Sequence, residues 1–223
     1  MRDGVVNAPR CTDMCSDIIH VASSFDSKGT EEATGCQSVK GVVISFSYRK
    51  QEVCVDTTRL DKDDSPHDLR VGDEVCQFVV QSVDDLKDYH GKGYYLKHRE
   101  TNLEVYHVAN EDPECLFAYI FKTPPLNDTG AAHIIEHCIL AGSQKYPVKD
   151  PFMSLLKGSV NTFMNAMTYP DYTVYPASSV LAKDFMNLFS VYTDAVFRPL
   201  LREETFWQEG IRLVTDESGQ MSF

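Results

Sequence analysis

From residue 71 onward, short apolar runs alternate with polar turns, and the spacing of the apolar positions identifies most of the elements. Cys115-Leu116-Phe117-Ala118-Tyr119-Ile120-Phe121 is almost wholly apolar and suits a buried strand. Residues 94–98 and 103–108, joined by Arg99-Glu100-Thr101-Asn102, read as a hairpin. Leu181, Phe185, Leu188, Phe189, Tyr192 and Val196 recur at helical spacing, which predicts an amphipathic helix over about 179–197, closed by Arg198-Pro199. That stripe is a core face. After the strand at 115–121, Pro124-Pro125-Leu126-Asn127-Asp128-Thr129-Gly130 breaks the pattern and offers Asp128 as the N-cap of a short helix, which Gly142 ends at C′. Residues 160–168 are again strand-like. Hairpins and helices mixed without a repeated βαβ unit predict an α+β fold, with helices packed on a largely antiparallel sheet.

The pattern divides the chain near residue 70. Residues 71–223 carry the regular elements, beginning with Val71-Gly72-Asp73 and the run 78–83. Residues 1–70 are rich in Asp, Ser, Thr and Gly, with one strand-like run, Gly41-Val42-Val43-Ile44-Ser45-Phe46-Ser47-Tyr48, and an acidic, turn-prone stretch at 61–66. They read as a divergent, loosely ordered N-terminal extension, or as sequence upstream of the true start.

Composition narrows the function. A chain of 223 residues with 43% hydrophobic content can bury a sizeable core. A net charge of −12 and a pI near 4.9 argue against nucleic acid or an anionic membrane as partner, and are compatible with a basic peptide. No run reaches the ~18 apolar residues of a membrane helix. Met1-Arg2-Asp3-Gly4-Val5-Val6-Asn7 lacks the apolar core of a secretory signal, and its early acidic residue is unlike an Arg-rich transit peptide. A cytoplasmic location is the expectation, with an organelle matrix left open. The seven cysteines are odd in number and form no C-x-x-C pair, which suits free thiols in a reducing compartment; Cys11 and Cys15 alone approach metal-ligand spacing.

The chemistry concentrates in His133-Ile134-Ile135-Glu136-His137 on the short helix. Residues i and i+4 share a helix face, so His133 and His137 can reach one metal ion together. Glu136 lies near that face and can act as general base toward a metal-activated water without being a ligand. H-x-x-E-H is the inverzincin order. The bland alternative is a helix with two surface histidines and an ordinary carboxylate. Cys138 is turned about 100° from His137 and reads as a small core residue.

Around this motif the chain resembles the pitrilysin/insulinase superfamily of zinc peptidases, on the branch of the presequence proteases and falcilysin. The resemblance is carried by Asp128-Thr129-Gly130-Ala131-Ala132-His133-Ile134-Ile135-Glu136-His137-Cys138-Ile139-Leu140-Ala141-Gly142-Ser143 and by Tyr146-Pro147-Val148-Lys149-Asp150-Pro151-Phe152. Further on it includes Ser159-Val160-Asn161-Thr162-Phe163-Met164-Asn165-Ala166-Met167-Thr168, Asp171-Tyr172-Thr173-Val174-Tyr175-Pro176, Asp194-Ala195-Val196-Phe197-Arg198-Pro199 and Phe206-Trp207-Gln208-Glu209-Gly210. It implies Zn²⁺ held by His133 and His137, Glu136 as catalytic base, and hydrolysis of unstructured peptides such as targeting presequences. It also implies that the strand at 160–168 borders the cleft and pairs with an extended substrate, with Asn165 and Ala166 matching the family's Asn-Ala pair. A buried strand with two solvated asparagines is the equal alternative there.

In the resembling family the third ligand is a glutamate in a downstream segment like Asn-Glu-Met-Lys-Gly, and no such segment precedes Phe223. Glu203, Glu204 and Glu209 fall before that position. The chain is therefore expected to be the N-terminal part of the catalytic half of a larger peptidase, with the remaining part and a second half as partners. The alternative function is a non-catalytic peptide-binding or assembly module of the same fold, inactive because those parts are absent.

Overall fold

A computed structural model describes residues 69–210, the strands Val42–Arg49, Val214–Thr215 and Met221–Ser222, and Gly219. The acidic stretch at 61–66 and the Cys11/Cys15 pair lie outside the described residues.

In chain order the elements begin with β1 (Val42–Arg49), β2 (Glu74–Val75), β3 (Phe78–Leu86), β4 (Gly91–His98), β5 (Glu104–Asn110) and β6 (Cys115–Lys122). Helices α1 (Ala131–Ile139) and α2 (Pro151–Gly158) follow, then β7 (Asn161–Met164), β8 (Met167–Thr168), β9 (Tyr172–Ser179), α3 (Ala182–Phe197) and α4 (Glu203–Gly210). The strands through β9 form one sheet in the order β2-β3-β4-β5-β1-β6-β9-β7, and β8 also pairs with β9. Every pairing in it is antiparallel except β1 with β5. The fold is thus α+β with a largely antiparallel sheet, as the mixed pattern predicts.

The predicted hairpin is β4–β5, with Tyr95 opposite Tyr106 and Leu96 opposite Val105. Strand β6 is the centre of the core. The Phe117 ring is fully buried and meets Tyr119, Phe185, Phe189 and Tyr192 edge to face, with centroids 5.4–5.7 Å apart. Such pairs add about 0.5–1.5 kcal/mol each beyond area burial, and here they fasten α3 across β6.

Two boundaries depart from expectation. Helix α3 starts at Ala182 because Ser179 remains in β9, opposite Cys115; Leu181 is the N-cap and half-exposed, so it leaves the core stripe. The strand predicted over 160–168 breaks at Asn165-Ala166 into β7 and β8. Residues 42–48 of the strand-like run form part of β1 in the sheet interior, with Ile44 between Val105 and Tyr119.

Candidate active site

Helix α1 is mounted at both ends. Upstream, Thr123 N–H donates to the Asp171 carbonyl at 2.9 Å, and the Thr123 and Thr173 hydroxyls are 2.8 Å apart, so the chain leaving β6 stays joined to the start of β9. Asp128 is not the cap. Asn127 Oδ1 takes the Thr129 N–H at 3.2 Å, a local turn that carries the chain past Asp128, and the N-cap is Gly130 at φ 71°. Downstream, the C-cap is Leu140 and Gly142 lies two residues beyond it, not at C′. Its φ is 129°, and an added Cβ would stand 2.8 Å from the Val148 carbonyl oxygen, so glycine is required there for two reasons. The loop is then tied to the end of α3: Leu200 N–H donates to Gly142 O at 3.1 Å, Gln144 N–H to Arg198 O at 3.1 Å, and Lys145 N–H to buried Asp194 at 2.7 Å.

On this mount, the Nε2 atoms of His133 and His137 lie 3.2 Å apart with the rings tilted at 75°. Nitrogen ligands ~2.0–2.1 Å from one tetrahedral zinc stand roughly 3.3 Å from each other, so the pair fits two corners of such a site. The other nitrogen of His137, Nδ1, is 2.9 Å from Glu209 Oε2. An Nδ1–H donated to that carboxylate leaves the Nε2 lone pair directed toward His133. Among the described residues, no group of three His, Cys, Asp or Glu side chains converges to hold a metal.

Glu136 is buried at 6% exposure, and Thr168 Oγ1 on β8 donates to its Oε2 at 2.7 Å. Burial, and secondarily the charge of Glu136, push the Tyr175 phenol up, so it stays neutral beneath the helix. Cys138 is buried, as its helical position predicts, and its thiol is pushed up by burial and then by Glu209.

Asn165 and Ala166 occupy the break between β7 and β8. Asn165 N–H donates to Pro176 O at 3.1 Å, and its Oδ1 accepts the Ala166 N–H at 2.9 Å. Strand β7 is the last in the sheet order, so its outer side has no strand partner among the described residues. The three glutamates passed over in the sequence separate here. Glu203 and Glu204 sit in the exposed first turn of α4, while Glu209, near its end, reaches His137. Helix α4 comes this close because Gly210 faces α1; a Cβ there would be 2.8 Å from the Phe206 ring and 3.3 Å from Ile134.

The family model for insulinase, peptidase family M16, matches residues 124–219. An uncharacterized protein of Borreliella burgdorferi is 53% identical over 137 residues, covering 61% of this chain and 14% of that protein. The mitochondrial presequence protease of Danio rerio is 46% identical over 157 residues, 69% of this chain and 15% of that protein. Presequence protease 1, chloroplastic/mitochondrial, of Arabidopsis thaliana is 50% identical over 139 residues, 61% of this chain and 13% of that protein. A crystal structure of pitrilysin overlays with a TM-score of 0.47 at 27% identity, over 56% of this chain and 14% of that one. The chain is thus similar to the insulinase family, peptidase family M16, over residues 124–219, and to presequence proteases over a longer stretch. It spans about 14% of the length of the curated relatives it matches.

Proposed function

We propose that this chain carries the zinc-binding motif of a metalloendopeptidase that hydrolyses unstructured peptides, presequence-like oligopeptides among them. His133 and His137 would hold the zinc through Nε2, and Glu209 would keep His137 in the tautomer that can ligate. Zinc, when bound, supplies Lewis-acid activation of water and of the scissile carbonyl. Glu136 accepts the proton from the attacking water and delivers it to the leaving amine. The open side of β7, with Asn165 and Ala166 at its end, pairs with the backbone of the extended peptide, a mode that tolerates many sequences. The cytosol or an organelle matrix is the compartment, the latter supported by the names of the Danio and Arabidopsis relatives. Among the described residues no helix is long and apolar enough to cross a membrane.

The observation that supports this reading most is the 3.2 Å approach of two Nε2 atoms on a helix whose intervening carboxylate is buried beside them. Glu136→Gln is the direct test, made in the protein at its full natural length. The variant is expected to keep its zinc and lose peptide cleavage by at least ~10²–10⁴-fold, the usual worth of a general base. Near-normal turnover would place the base elsewhere.

A further inference from the structure

We infer that Thr168 is the positioning residue of the base: its hydroxyl anchors one oxygen of the Glu136 carboxylate and leaves the other to receive the proton. The inference rests on the peptidase reading above. A carboxylate at 6% exposure needs a donor, because a buried charged oxygen without one is strongly destabilising, and the Thr168 hydroxyl meets Oε2 at 2.7 Å. A glutamate side chain otherwise has several torsions open to it. With Oε2 held, fewer orientations of the carboxylate remain, and a base transfers a proton only when it stands within hydrogen-bond reach of it.

Thr168 is itself fixed. Strand β8 pairs with β9 at Met167↔Val174 and Thr168↔Thr173, and Thr173 is 2% exposed with its hydroxyl joined to Thr123. Immediately beyond, Tyr169 N–H donates to Tyr172 O at 2.8 Å and closes the turn into β9. A β-branched side chain on a paired strand has few χ1 choices, so the direction of its hydroxyl is well defined. Strand β8 also follows β7, the sheet's outer strand, across the break at Asn165-Ala166. One stretch of chain thus borders the open edge and holds the base.

The test compares Thr168→Val, which keeps the shape and removes the donor, with Thr168→Ser and Glu136→Gln, all in the protein at its full natural length. Thr168→Val should lower kcat by about 10- to 100-fold with KM and zinc content unchanged, as expected for a misplaced catalytic group, and Thr168→Ser should restore most of it. Wild-type kcat in Thr168→Val, with Glu136→Gln inactive, overturns the inference and leaves the peptidase reading standing. Equal turnover in wild type and Glu136→Gln overturns both. Crystal structures decide independently of turnover. The Glu136 carboxylate should occupy one orientation in wild type and more than one in Thr168→Val; a single unchanged orientation in the variant overturns the inference.

Discussion

At His137 the two ring nitrogens have separate tasks, and the partner of one decides what the other can do. Glu209 stands 2.9 Å from Nδ1, and the two side chains retain 46% and 29% exposure. At that exposure the pair is worth little as a salt bridge, so its consequence lies in tautomer and ring orientation rather than in stability. Glu209→Gln is therefore expected to weaken zinc binding by ~10–100-fold with little change in unfolding midpoint, whereas His133→Ala and His137→Ala should remove the binding that exists. Competition against a zinc-sensitive dye measures all three. Wild-type affinity in Glu209→Gln would show that His137 finds its orientation without help.

Among elements, the join between β6, β7 and β9 has its own pH dependence. Glu114, immediately before β6, accepts hydrogen bonds from Thr162 on β7 and from Ser178 on β9, the latter at 2.7 Å. These bonds, Thr162 first, hold its carboxyl below the usual range despite some desolvation. A depressed acid stabilises the fold fully above its unfolded value of about 4.3, and that contribution is lost as pH falls through the lower folded value. Glu114→Gln should thus be less stable than wild type near neutral pH, and the gap should close at a pH below the folded value. Urea midpoints at the two pH values check this, and an equal gap at both would show that the Glu114 charge contributes nothing.

Over the whole molecule the two ends of the sheet differ. Among the described residues, strand β2 closes one end as a two-residue strand, while β7 leaves the other open, with Phe163 on it 44% exposed and Val160 before it 60% exposed. An open edge flanked by apolar side chains is a site for pairing with another chain. Among the described residues, the two histidine nitrogens also fall short of the three protein ligands that usually hold a catalytic zinc. The 223-residue chain by itself is therefore expected to bind zinc weakly, to self-associate and to leave peptides uncut. Cleavage should appear when the remainder of the natural protein is supplied in cis or as a separate chain. Light scattering, and digestion of an unstructured peptide with and without a chelator, test this. Chelator-sensitive cleavage by the monomeric chain would contradict it.

What depended on near neighbours could be read from the sequence alone. Helical spacing placed His133, Glu136 and His137 on one short helix and marked Phe185, Leu188, Phe189, Tyr192 and Val196 as a buried stripe; an apolar run and a four-residue turn located β6 and the β4–β5 hairpin. Local competition already blurred the ends of elements, since the helix N-cap fell on Gly130, two residues past Asp128, and Ser179 stayed with β9. Contacts across long stretches of chain were decided by the tertiary structure. It inserted β1 between β5 and β6, brought Glu209 to His137 across 72 residues, and brought Thr168 to Glu136 across 32. The physical reason is that periodicity reports which face of an element is buried, whereas the partner that a carboxylate or hydroxyl meets is set by the path of the backbone between them, and no local pattern encodes that path.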